Sequence, residues 1–102
     1  MSRHRLPNRR LAVTHKVAWD WREERITIGY DDQGRAREVF ASGRVADSKI
    51  DAMLIDTGIV LSLALQYGIP ISEIAAAVGV DKHDPNSIIG AIIHKTHQEA
   101  TL

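Results

Sequence analysis

Residues 26–43 read ITIGYDDQGRAREVFASG. Ile26, Ile28 and Tyr30 fall on one side of an alternating run, with Thr27 and Gly29 on the other, which is the period of a half-buried strand. Asp31, Asp32, Gln33 and Gly34 then supply turn chemistry, Gly34 being free to take positive φ, and alternation resumes around Val39 from Arg37 to Ala41. Upstream, Leu11, Val13, His15, Val17, Trp19 and Trp21 alternate with Ala12, Thr14, Lys16, Ala18 and Asp20, so a first strand ends near Asp20. The simplest account is a three-stranded antiparallel meander that ends at Ser42, Gly43 and Arg44.

Downstream the period changes. From Lys49 to Tyr67, Ile50, Met53, Leu54, Thr57, Leu61, Ala64, Leu65 and Gly68 recur three or four apart, with Asp47 or Ser48 available as N-cap. The spacing predicts a long helix, stopped by Gly68 and Pro70. Ile55, Ile59, Val60 and Leu63 make it apolar on its other faces as well. Such a helix packs on the sheet with one side and needs a second cover for the other, either a helix or a second chain. A short helix over 71–78 ends at Gly79. Asp84 and Pro85 read as N-cap and first-turn proline of a third helix running to Gln98, with Ile88, Ile89, Ile92 and Ile93 as its buried stripe. The expected fold is therefore α+β, three strands followed by three helices, with the long first helix packed on the sheet.

The chain has 102 residues, enough for one hydrophobic core and not for two. Its formal charge is zero, yet Arg3, Arg5, Arg9 and Arg10 stand together without an acid near them. Residues 1–10 are thus expected to form a basic flexible arm ahead of a single domain at 11–102. There is no cysteine, which excludes disulfides, thiolate metal sites, iron–sulfur clusters and thiyl radicals. No apolar run approaches the roughly 18 residues of a membrane span, and the first residues lack the apolar stretch of a signal peptide. A cytoplasmic protein without a membrane role is expected.

The polar residues offer no catalytic set. His94 and His97 form an H-x-x-H pair that the helical period puts opposite the isoleucine stripe, on the solvent face, and with Glu99 and His83 nearby they could catch zinc or nickel weakly, but no closed set of four metal ligands results. His15 belongs to the apolar face of the first strand, where a core-margin histidine is the ordinary reading. Asp51 and Asp56, five apart on the long helix, are on different faces and do not form an acid–base pair. Glu23 and Glu24 fall at the tip of the first hairpin, where charge is readily solvated. Gly29, Gly34 and Gly43 are too scattered to build a phosphate loop. No catalytic, metal-binding or cofactor-binding residue, and no cofactor, is assigned.

Two kinds of binding remain open. The Trp19-Asp20-Trp21 tip sets bulky indoles beside a turn, and Trp19, Trp21 and Arg22 are the candidate partner-binding residues. Arg3, Arg5, Arg9 and Arg10 are the candidate nucleic-acid contacts, together with a stacking platform of Trp19, Trp21 and Tyr30 edged by Lys16, Arg22 and Arg25.

Taken in order, Arg9-Arg10-Leu11, VTHKVAW at 13–19, the stretch at 26–43, LSLALQYGIPISEIAAAVG at 61–79 and PNSIIGAI at 85–92 resemble the TSCPD domain of adenosylcobalamin-dependent ribonucleotide reductases. The resemblance runs over residues 9 to 93, and its most specific stretches, 30–40 and 61–74, are structural. The family is named for a Thr-Ser-Cys-Pro-Asp sequence that this cysteine-free chain does not contain, so none of the reductase's redox residues carries over. An accessory or regulatory domain without catalysis of its own, related to that reductase domain, is expected to act by binding a protein partner or by forming a homo-oligomer, and the apolar positions all round the long helix predict a homodimer. Nucleic-acid binding, and a separate subunit joined to a ribonucleotide reductase large chain in DNA precursor synthesis, stand as alternatives.

Overall fold

The computed structural model describes residues 2–3, 11–20, 22–42, 49–81 and 84–102. Arg5, Arg9, Arg10 and Trp21 lie outside them, as do Gly43, Arg44, Asp47, Ser48 and His83.

The α+β order of three strands followed by three helices is the one observed. Strands β1 (Ala12–Trp19), β2 (Arg22–Tyr30) and β3 (Ala36–Ser42) form an antiparallel sheet in the order β1-β2-β3. Val13, Ile28 and Val39 align across it, as do His15, Ile26 and Ala41, so these residues share the face turned to the core. Between β1 and β2, Asp20 takes a left-handed φ of 55°. Aspartate tolerates that region better than most residues. At the second turn Gly34 has φ 76°, and Asp31 Oδ1 accepts from the amides of Gln33 at 2.9 Å and Arg35 at 3.0 Å. A shift of register between Gly29 and Tyr30 follows, which lets Tyr30 pair with Ala36.

Helix α1 (Lys49–Gln66) ends where the glycine signal placed its end: Gly68 has φ 89°, and the Ile69 amide donates to the Ala64 carbonyl in a six-to-one closure. Helix α2 (Ile71–Ala77) follows directly after Pro70. The third helix starts later than the Asp84-Pro85 reading predicts. Those two residues form strand β5 (Asp84–Pro85), paired with β4 (Val80–Asp81), and the N-cap is Ser87, whose Oγ accepts from the Gly90 amide at 3.0 Å. Proline restrains the residue before it to extended backbone, and that restraint prevailed here over the helix-start reading. Helix α3 then runs from Ile88 to Gln98.

Beyond α3, the Ala36 amide donates to the Ala100 carbonyl and the Leu102 amide to the Gly34 carbonyl, so the last residues dock beside the β2–β3 turn. Tyr30, buried, donates its hydroxyl proton to the Glu99 carbonyl at 2.6 Å. Burial, and then the charge of Glu99, raise the Tyr30 pKa above the ordinary phenol value.

The core lies between the inward sheet face and the helices, with Ile26, Ile28, Leu54 and Ile92 wholly buried. Helix α1 packs on the sheet along β3, α3 covers the face over β1, and α2 packs on α3. The buried side of α1 differs from the apolar stripe read in the sequence. Ile50 and Met53 are exposed, whereas Asp51, Gly58 and Gln66 are buried with Leu54, Leu61 and Leu65. The reason is that α1 meets the backbone edge of β3 as well as side chains. Ser62 Oγ accepts from the Val39 amide at 2.8 Å and donates to the Val39 carbonyl at 3.1 Å, and Gln66 Nε2 donates to the Arg37 carbonyl at 3.2 Å. A Cβ on Gly58 would stand 2.7 Å from the Val39 oxygen. The row Leu54, Gly58, Ser62, Gln66 is small or polar in three of its four members because it lies against peptide groups that need hydrogen bonds.

Candidate functional site

An extended solvent-facing apolar surface runs along α1. Ile55, Ile59, Val60 and Leu63 are exposed, as is Phe40 on the outward face of β3, with Val60 at 67% and Phe40 at 55%. On one flank of the helix, Phe40, Ile55, Ile59 and Leu63 line a groove of about 530 Å³. The Arg3 guanidinium donates to the Gln66 side-chain oxygen at the same groove. On the other flank, Val60, Ala64, Ile74, Ile89 and Ile93 line a second apolar hollow of about 350 Å³ between the three helices. The helical period of α1 generates this surface directly: once Leu54, Gly58, Leu61 and Leu65 face inward, residues 59, 60 and 63 must face out. Both grooves are mostly apolar, with Arg3 and Glu38 in the first and Asp56 in the second at the charged margins, so the surface suits shape-matched contact.

The residues of the first hairpin do different work from the one their types suggested. Trp19 is half-buried against the core, and its indole N–H donates to the Pro85 carbonyl at 2.6 Å. It therefore ties the end of β1 to strand β5, just ahead of α3. Strand β2 begins four residues earlier than its apolar run, at Arg22, and this turns Glu24 inward opposite Val17. Glu24 is 1% exposed, and Arg22 holds it through Nη2 at 2.5 Å and Nε at 3.1 Å, so the solvated-tip reading fails for Glu24 while Glu23 remains exposed. The pairing, made to Oε1 alone, offsets part of the cost of burying the carboxylate, whose Oε2 is buried without a hydrogen-bond partner among the described residues. Tyr30 is buried too, which leaves no stacking platform of Trp19 and Tyr30.

His94 and His97 are separated. His94 is half-buried in a cleft beside β1, with its Nε2 buried and without a hydrogen-bond partner, whereas His97 is exposed at a different groove beside Arg35 and Ile71. The expectation that both face solvent holds only for His97, because α3 turns residue 94 toward β1. His15 is half-buried on the inward face, and its Nε2 also has no partner. Among the described residues no group of three or more histidines, aspartates or glutamates could hold a metal. Asp51 is buried and Asp56 exposed, on different faces of α1 as their spacing requires.

One buried carboxylate is fully engaged. Asp31 Oδ2 accepts from Arg37 Nε at 3.0 Å, and Arg37 also donates to the Leu65 carbonyl at 2.8 Å, tying the β2–β3 turn to α1. Burial works against the charged form of Asp31, but the Arg35 amide, the Arg37 guanidinium and the Gln33 amide together outweigh it and hold the pKa below the usual aspartate range.

Residues 2–93 match the family model described as the TSCPD domain. The chain belongs to the TSCPD domain family. It is 31% identical over 87 residues to the vitamin B12-dependent ribonucleotide reductase of Agrobacterium fabrum, covering 85% of this chain and 7% of that protein. To the vitamin B12-dependent ribonucleotide reductase of Rhodopirellula baltica it is 31% identical over 83 residues, covering 81% of this chain and 8% of the relative. This TSCPD domain thus spans less than a tenth of the length of the relatives it matches. No solved structure matches it. Among its described residues no helix is long and apolar enough to cross a membrane.

Proposed function

We propose that this TSCPD domain is a non-catalytic accessory module that works by protein–protein association through the exposed flank of α1, with a second copy of the chain as its partner. The apolar ridge of Ile59, Val60 and Leu63, continued by Ile55 and Phe40, carries the reading. With Met53 and Tyr67, which are also exposed, these side chains present roughly 530–710 Å² if a fully exposed one contributes roughly 150–200 Å². That approaches the ~800 Å² per partner of a standard interface, and it lies at the upper end of what monomers leave bare. Burying it at about 25 cal/mol per Å² provides the driving force for association.

A second reading is favoured by the relatives, in which the matching stretch is a small part of a vitamin B12-dependent ribonucleotide reductase. In that reading the α1 flank docks on a separate reductase large chain and the module serves ribonucleotide reduction without turnover of its own. Sedimentation velocity at micromolar concentration, alone and with a vitamin B12-dependent reductase large chain, separates the two. A dimer that the double substitution Ile59→Asp, Leu63→Asp converts to monomer supports self-association. A monomer that co-sediments with the large chain, and loses this with the same substitutions, supports the subunit reading. A monomer that binds neither overturns both.

A further inference from the structure

The sheet has a second unpaired feature on the side away from α1. The Tyr30 amide donates to the Leu11 carbonyl, which fixes the parity of the β1–β2 ladder: Val13, His15, Val17 and Trp19 direct their N–H and C=O groups to β2. Those of Ala12, Thr14, Lys16 and Ala18 point to the opposite side, where no strand pairs with β1 among the described residues, and all four residues are exposed. β1 carries neither proline nor bulge along its eight residues, the devices that usually blunt an edge. At its Lys16–Ala18 end lies a cleft of about 540 Å³, bounded by α3 and by Val80 and Pro85. Among the described residues its titratable lining is cationic or neutral: Lys16, His94 and Lys95, without a carboxylate. His94 brings to it a buried Nε2 with no partner. Glu99 stands 3.6 Å from Lys95 Nζ, and an ammonium has three protons to donate.

An open edge recognises extended backbone, and the charge beside it selects what that backbone carries. We infer that the β1 edge takes an acidic extended peptide segment as an added strand, seating a carboxylate of that segment against Lys16, His94 and Lys95. Backbone pairing to Thr14, Lys16 and Ala18 supplies affinity independent of sequence. The cleft supplies the preference for Asp or Glu at the position opposite Val17, whose side chain shares the face that α3 covers. This surface is on the other side of the sheet from α1, so its success or failure is independent of the proposed association through that helix.

The test uses the full chain, amide exchange followed by NMR, and two probes: a short peptide of alternating Glu and Val, and its counterpart of alternating Lys and Val. The acidic peptide is expected to slow exchange at Thr14, Lys16 and Ala18, while Val13 and Val17, already in the ladder, stay unchanged; the basic peptide should have no effect. Lys16→Glu with Lys95→Glu should weaken the acidic peptide about tenfold. Ala18→Pro, which removes an outward N–H and leaves the β2 ladder intact, should also weaken it about tenfold. If that proline variant unfolds, the charge-reversal pair still decides. Equal protection by both peptides, binding without protection at Thr14 and Lys16, or the same shifts produced by inorganic phosphate alone would overturn the inference.

Discussion

β1 and β3 are the two outer strands of one sheet, of nearly equal length, yet their free edges are finished in opposite ways. Along β3, the outward N–H and C=O of Val39 are both satisfied by one hydroxyl of α1, the Arg37 carbonyl by a glutamine, and Gly58 permits the approach. Along β1, the outward groups of Ala12, Thr14, Lys16 and Ala18 face away from the sheet with no strand beside them among the described residues. A sheet edge can be closed by a strand, or by a helix that supplies polar side chains at the right intervals. Here the helix method occupies one edge, and the residues it requires are those that look out of place in an apolar helix.

The sharpest way to break the contrast is to push α1 off β3. Gly58→Val sets a branched side chain 2.7 Å from the Val39 oxygen and 3.3 Å from the Ala41 nitrogen, both backbone. Thermal or urea unfolding should show a loss of about 3 kcal/mol, and Gly58→Ala a smaller one because alanine regains helix propensity. Ser62→Ala leaves the Val39 amide and carbonyl without their shared partner, and about 2 kcal/mol of stability should go with it. Gln66→Ala removes the bond to the Arg37 carbonyl together with the part-buried acceptor of Arg3, and should cost about 1 kcal/mol by the same measurement.

Acid tests the neck of the sealed side, where Asp31 and Arg37 join the β2–β3 turn to α1. The folded chain holds the Asp31 pKa below its unfolded value, so this contribution is fully present above about pH 4 and is lost as pH falls through the lowered folded value. Asp31→Asn should therefore destabilise the protein at neutral pH and flatten the acid limb of stability against pH, as followed by circular dichroism. The smallest effect belongs to the open edge. Thr14→Val, exposed on β1, should shift stability by no more than about 0.5 kcal/mol, since its hydroxyl meets only Thr27 at the surface. A large loss there would mean that β1 is not an open edge.

The strands, their order and the long helix were legible in the sequence because period-two and near-3.6 repeats follow from local backbone geometry, and the glycine at 68 marked the end of α1 for the same local reason. The apolar flank of α1 was legible as well, since eighteen helical residues with apolar side chains on every face cannot all be buried against one small sheet. The α3 start was misread because Asp-Pro serves a helix N-cap and an extended pair equally, and only the pairing with Val80 and Asp81 decides between them. Ser87, three residues before Gly90, was the local signal that would have placed it.

What the sequence by itself determined is the list of elements and the excess of apolar surface, both consequences of near-neighbour spacing. Tertiary structure alone decided which polar residues were structural. Ser62 and Gln66 answer peptide groups more than twenty residues away, Glu24 is drawn inward by the register that extends β2 to Arg22, and Trp19 finds its acceptor at Pro85. Hydrogen-bond partners at that separation are set by where the elements pack, and no pattern of neighbouring residues encodes them.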